Sequence, residues 1–169
     1  MSIVAYGLNH RTASVELRER IAFPEENLGN TLSQLTHDLG NMREAAIIST
    51  CNRTELYCSL SDDNTRDIGQ GLAANRPGAL AELEGASYKH WDKDAAKHMI
   101  RVAAGLDSQM LGEPQIMGQV KAAYEVARET GTIGPELDLL SRMTLSTAKD
   151  IRTPTGRGRT PISGASAAG

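Results

Sequence analysis

This 169-residue sequence predicts an α+β fold: a small antiparallel sheet assembled early, with helices packed on it, and helices alone thereafter. Three observations predict it. Ala45 to Ile48 and Glu55 to Leu60 read as the two arms of a β-hairpin, Ile3 to Leu8 reads as a further strand, and from Asp92 onward the apolar residues recur with a helical period.

The first strand, Ile3 to Leu8, stops at the polar cluster Asn9-His10-Arg11-Thr12. Ser14 then caps a short helix with Glu16 in its first turn, where a carboxylate meets the positive end of the helix dipole. Pro24, already fixed near helical φ, starts a second helix with Leu28, Leu32, Leu35 and Leu39 at helical spacing and Gly40 as its stop. Ala45-Ala46-Ile47-Ile48 is short, apolar and partly β-branched, which suits a buried strand. Glu55 to Leu60 alternates, with Leu56, Cys58 and Leu60 on the core face, Glu55, Tyr57 and Ser59 on the other, and Thr50 to Thr54 as the hairpin connection. Asp67 to Leu83 is a helix interrupted near Pro77-Gly78, and Ala86 to Trp91 a last strand.

The next helix takes Asp92 or Asp94 as its N-cap and lines up Met99, Val102, Ala103, Leu106 and Met110 on one side. On the adjoining edge lie His98, Arg101, Gly105 and Ser108, where the glycine removes a side chain and opens a groove between His98 and Ser108. Pro114 opens a helix that runs to Gly131, with Gln115 and Gln119 sharing one face and Ile116, Val120, Ala123 and Ala127 the buried one. A final helix, Pro135 to Ile151, carries Leu137, Leu140, Thr144 and Ala148 at helical spacing. Thr153 to Pro161 cannot continue a helix, so the chain divides into a domain over 1–152 and a linker with the start of a truncated downstream region over 153–169.

Hydrophobic residues make up 40% of the chain and aromatics 4%, so the core is aliphatic. A formal net charge of -3 argues against a uniformly basic nucleic-acid-binding surface and confines any RNA contact to a local patch. No apolar run approaches the roughly 20 residues of a membrane span, and no N-terminal signal region is present. The two cysteines, Cys51 and Cys58, fit neither a metal-ligand spacing nor a disulfide framework. The expectation is a cytoplasmic protein with reduced thiols, no metal and no membrane contact.

Chemistry concentrates in Ser49-Thr50-Cys51-Asn52-Arg53-Thr54-Glu55, which sets a thiol beside a cation at a strand end. Cys58 belongs to a core face, where a thiol is a small inert hydrophobe. Cys51 has polar neighbours on both sides and is the candidate nucleophile. A lone cysteine among strands usually only fills space, an isolated helix-edge histidine such as His98 is usually solvated, and exposed glutamines are ordinary helix formers. The longer motifs change that balance.

Gly7-Leu8-Asn9-His10-Arg11-Thr12-Ala13, Ser49 to Tyr57, Arg101-Val102-Ala103-Ala104-Gly105-Leu106-Asp107-Ser108, Leu111-Gly112-Glu113-Pro114-Gln115-Ile116, Gly118-Gln119-Val120-Lys121 and Ala148 to Thr153, in this order and spacing, resemble the N-terminal catalytic domain of glutamyl-tRNA reductase. The resemblance covers nearly the whole chain and implies a ferredoxin-like sheet. That family is an NADPH-dependent oxidoreductase of tetrapyrrole (porphyrin, haem) biosynthesis, which reduces the glutamyl group of glutamyl-tRNA to glutamate-1-semialdehyde. The resemblance makes Cys51 the nucleophile that attacks the aminoacyl ester to form a thioester, and His98 the histidine important for activity. It places Thr50, Asn52, Arg53, Ser108, Glu113, Pro114, Gln115 and Gln119 around the substrate, with Arg53 as a fork for the γ-carboxylate and Glu113 as a partner for the α-ammonium.

The implied partners are glutamyl-tRNA, glutamate-1-semialdehyde aminomutase, and a second copy in the homodimer of the full-length family. The chain ends before the family's NADPH-binding and dimerisation domains, so no NADPH is expected to bind these residues. Gly156-Arg157-Gly158 follows a helix instead of a strand and lacks a third glycine, so it is no dinucleotide fingerprint. Pro154 stands where the family usually has an acidic residue. The alternative is a non-catalytic fragment that binds glutamyl-tRNA or a partner.

Overall fold

The structure, a computed structural model, describes residues 2–111 and 114–152. Four strands, β1 (Ser2–Asn9), β2 (Met42–Ser49), β3 (Arg53–Leu60) and β4 (Tyr88–Trp91), form one sheet in the order β2-β3-β1-β4. All of its pairings are antiparallel. Helices α1 (Val15–Ile21) and α2 (Glu25–Asp38) connect β1 to β2, and α3 (Ile68–Leu72) and α4 (Leu80–Ala86) connect β3 to β4. This is the split βαβ, ferredoxin-like topology, and the α+β class is as expected. Helices α5 (Asp92–Ala103), α6 (Ile116–Thr130) and α7 (Pro135–Arg152) follow. The expected linker over 153–169 lies outside the described residues.

The register sorts the sheet into two faces. Val4, Tyr6 and Leu8 pair with Cys58, Leu56 and Thr54, while Ala45 and Ile47 pair with Cys58 and Leu56, which makes one face apolar. Helices α1 to α4 belong to that side: Ser14 caps α1 by accepting from Leu17 N at 3.2 Å, α1 packs on β3, and Ser87 at the end of α4 donates to the Tyr6 hydroxyl at 3.2 Å. The other face carries Asn9, Arg53, Glu55, Tyr57, Ser59, Glu44, Tyr88 and His90. Sequence alternation assigns the core to the first face, yet β3 is buried along its whole length. The reason is that α5, α6 and α7 close over the second face: His98 reaches Glu55, Tyr57 lies 6.4 Å from Tyr124, and Ser59 donates to Glu136.

Three local expectations are corrected. Neither Asp92 nor Asp94 caps α5, whose N-cap is Trp91 without a side-chain bond. Asp92 sits at φ 49° and its carboxylate accepts from Ile3 N at 2.9 Å, tying the start of α5 to β1. The α5 stripe also stops at Ala103, because Gly105 at φ 80° turns the chain out of the helix, so Gly105 ends α5 instead of opening a groove along it. Met110, expected in the buried stripe, is therefore 76% exposed.

Candidate active site

The β2–β3 hairpin closes through Thr50, Cys51 and Asn52. Thr50 N donates to Arg53 O at 2.8 Å and Asn52 N to the Thr50 hydroxyl at 3.1 Å, so the loop is fastened by its own polar groups. Arg18 on α1 donates through Nε to Cys51 O at 3.2 Å and through Nη1 to Ala13 O at 2.7 Å, bracing the loop from the side. The Cys51 thiol thus stands exposed on a held backbone. Cys58 is its opposite: burial pushes its thiol up to about 12.

Behind the loop runs a buried network of charges. Glu55 accepts from Arg53 Nη1 at 2.9 Å, His98 Nε2 at 2.7 Å, the Tyr57 hydroxyl at 2.6 Å and the Tyr88 hydroxyl. Burial alone would raise its carboxyl, but the hydrogen bonds and charges of His98 and Arg53, with Tyr57, outweigh that and hold it at about 2. Arg53 Nη2 donates to the Asp107 carboxylate at 3.0 Å and to Asp107 O at 2.7 Å. Arg11 holds the other Asp107 oxygen at 2.8 Å. Gly7, directly across from Glu55, makes the room: a Cβ there would lie 2.3 Å from Thr54 O and 2.8 Å from the Glu55 Cα. Since Nε2 faces an ionised carboxylate, it carries the hydrogen, which leaves Nδ1 as the His98 nitrogen able to exchange a proton.

Three openings surround these groups. Asn52, Gln109, Met110, Pro114 and Gln115 line a cavity of about 630 Å³ next to Cys51. On the other flank of the hairpin, Gln119 and Ser49 share a crevice of about 160 Å³ with Phe23 and Ala123. His98 lines neither. It faces a cavity of about 450 Å³ with Asn9, Arg11, Tyr88, His90, Lys97, Arg101 and Asp107. The Arg53–Asp107 bridge lies between the hairpin loop and this third opening.

Residues 6–155 match the family described as Glutamyl-tRNAGlu reductase, N-terminal domain. The chain belongs to the glutamyl-tRNA reductase family. It is 52% identical over 168 residues to a glutamyl-tRNA reductase of Pseudomonas paraeruginosa, covering 99% of this chain and 40% of that protein. One from Ectopseudomonas mendocina is 52% identical, with 99% and 39% covered. The solved glutamyl-tRNA reductase of Methanopyrus kandleri superposes with a TM-score of 0.75 at 27% identity, over 95% of this chain and 37% of that one. The chain spans about two fifths of the length of the curated relatives it matches.

Of the residues expected around a substrate in this glutamyl-tRNA reductase domain, the fold brings Asn52, Pro114 and Gln115 to one opening at the turn that carries Cys51, and Gln119 to the crevice it shares with Ser49. Ser108 is buried next to Asp107. Glu113 lies outside the described residues. Arg53 departs from the expected open fork: it is 2% exposed and both of its terminal nitrogens are engaged by Glu55 and Asp107, because a guanidinium on the inner face of a central strand must find its carboxylates within the core. His98, which an ordinary helix-edge reading would leave in solvent, is buried against Glu55. Glu55, Asp107 and Tyr88 complete the buried network around Arg53 and His98, which single positions do not reveal. The available signal was a glutamate in a strand directly opposite a glycine.

The described residues contain no parallel βαβ unit of the kind that seats a dinucleotide. Pyrophosphate sites of that kind sit where a parallel βαβ unit opens a helix, and the strand pairings among the described residues are all antiparallel. No helix among the described residues is long and apolar enough to cross a membrane, and they contain no cluster of metal-ligating side chains.

Proposed function

We propose that this domain performs the acyl-transfer half of glutamyl-tRNA reduction. The Cys51 thiol gives up its proton, its sulfur attacks the carbonyl carbon of the glutamyl ester, the bond from that carbon to the terminal ribose oxygen breaks, and that oxygen takes up a proton in exchange. A glutamyl thioester remains on the enzyme. It accepts hydride more readily than the ester, since sulfur donates poorly into the carbonyl. The hydride donor, NADPH by resemblance, is the family's, and reduction of the thioester would give glutamate-1-semialdehyde on the way to tetrapyrroles.

Side-chain roles follow from placement. Asn52 and Gln115 offer amide donors and acceptors to the glutamyl group beside the thiol, with Pro114 shaping the wall; Thr50 fastens the turn that carries the thiol, while Ser108 and Gln119 act from outside this opening. Arg53 acts from beneath, as a buried cation whose field favours the γ-carboxylate and whose bonds fix Glu55 and Asp107. His98 Nδ1, left open by the Nε2 bond to Glu55, takes up by way of solvent the proton that the thiol releases and returns it to the leaving ribose oxygen, with Glu55 orienting the ring. A homodimer and a handover to an aminomutase are proposals for the full-length protein, as is a cytoplasmic setting.

The observation that carries this reading is the exposed Cys51 thiol on a braced turn, within a family match over residues 6–155. The test is deacylation of glutamyl-tRNA by the chain without nicotinamide cofactor. Cys51→Ser should abolish release of the tRNA, whereas equal release by wild type and Cys51→Ser would contradict the reading. Retained tRNA binding without release by either would favour a non-catalytic binding fragment.

A further inference from the structure

Apart from His98 and Asp107, the cavity on the His98 side has a lining that the acyl-transfer chemistry does not use. Three cationic side chains, Arg11, Lys97 and Arg101, face it against two carboxylates, Asp94 and Asp107. Arg11 is bound to Asp107, but Lys97 and Arg101, one helical turn apart on the exposed side of α5, make no ion pair among the described residues. The local excess is positive on a chain whose formal net charge is -3. The same cavity has an aromatic wall. His90 stacks on His98 with centroids 4.4 Å apart and planes 26° from parallel, and Tyr88 stands edge-on to His98 at 5.5 Å. Tyr88 and His98 are both bonded to Glu55, and His90 rests on the His98 ring they hold in place.

Free cations beside flat, fixed rings are what a single-stranded nucleotide requires: phosphate oxygens pair with the cations and a base lies on the ring face. At about 450 Å³ the opening admits one nucleotide. We propose that this cavity is the subsite for the 3′-terminal nucleotide of the RNA, with Lys97 and Arg101 on the phosphates of the unpaired strand that leads into it and His90 as the stacking platform. The proposal rests on the acyl-transfer reading and deepens it: an ester on the terminal ribose would then be presented toward Cys51 from the far side of the Arg53–Asp107 bridge, with His98 on the path of the leaving oxygen. The charges lie on one exposed turn of α5, so reversing them leaves the core intact.

The test is binding of a deacylated RNA minihelix with a single-stranded 3′ end ending in adenosine, measured across a salt series with the 169-residue chain. The double variant Lys97→Glu/Arg101→Glu should weaken binding by about tenfold or more and lower the slope of log affinity against log salt by about 1 to 1.5, as expected for two lost single-strand phosphate contacts. Lys93→Glu/Lys149→Glu, an equal charge change at exposed positions outside the cavity, should stay within about twofold of wild type. His90→Ala should weaken binding about fivefold or more with an unchanged salt slope, because it removes stacking and no charge. Removing the single-stranded 3′ end from the minihelix should erase the difference between wild type and the double variant.

Equal binding by wild type and the Lys97/Arg101 variant, or an equal loss in the Lys93/Lys149 control, would overturn the proposal. If that happens while wild type still forms a glutamyl adduct on Cys51, the acyl-transfer reading stands and only the subsite is wrong. Absence of RNA binding by wild type overturns the subsite, and absence of an adduct as well overturns both.

Discussion

Glu55 has no contact with solvent and still stays ionised, because four donors converge on its two oxygens. Its carboxyl lies at about 2 in the fold against 4.5 for the free side chain. A depressed folded value contributes stability that is fully present above about pH 4.5 and is lost as the pH falls toward 2. That contribution is of order 3 kcal/mol. Chemical denaturation across this window should show the loss for wild type and a flatter acid limb for Glu55→Gln; parallel limbs would count against the network. Arg53→Met should cost roughly 3 to 5 kcal/mol at pH 7, since it leaves two buried carboxylates short of their cation. The thiols differ as sharply. Iodoacetamide at pH 8 should label exposed Cys51 in the native chain and spare Cys58, whose buried thiol is pushed up to about 12; tryptic mass mapping reads both sites.

Helix α7 is anchored by a residue far away in sequence. The Glu44 carboxylate on β2 accepts from Gly134 N and Leu137 N, each at 2.8 Å, and from Glu136 N at 3.2 Å, capping α7 from another element. Glu44→Ala should lower the unfolding free energy by about 1 to 2 kcal/mol in urea titrations, and Glu44→Gln by less. Gly7→Ala on β1 should cost about 1 to 3 kcal/mol, because the atoms it would meet include the backbone of β3, which cannot step aside. The helices were legible where period and punctuation agreed: the Ser14 cap, the break between α3 and α4 near Pro77-Gly78, and the left-handed Gly131 that closes α6 at φ 85°. The start of α5 was not legible. Asp92 looks like a cap in sequence, but its carboxylate is taken by Ile3 N, a contact 89 residues apart.

The sheet is wrapped on both sides, and the two sides do different work. Helices α1 to α4 cover an apolar face, while α5 to α7 close over a face of carboxylates, hydroxyls and Arg53. Alternation within β3 could not reveal the second cover, because it depends on helices that begin only at Asp92, well beyond the end of β3 at Leu60. The motif positions did identify the hairpin thiol and the family. They did not show that Arg53 is enclosed, that His98 leans on Glu55, or that the expected site divides among three openings, since each of these arises from pairing between distant segments. The acyl-transfer account is decided by incubating the chain with glutamyl-tRNA carrying labelled glutamate, quenching in acid and taking the intact mass beside a Cys51→Ser control. A glutamyl adduct confined to Cys51 and absent from Cys51→Ser is the predicted result. No adduct on a chain that binds the RNA, or an adduct that survives Cys51→Ser, would contradict the account.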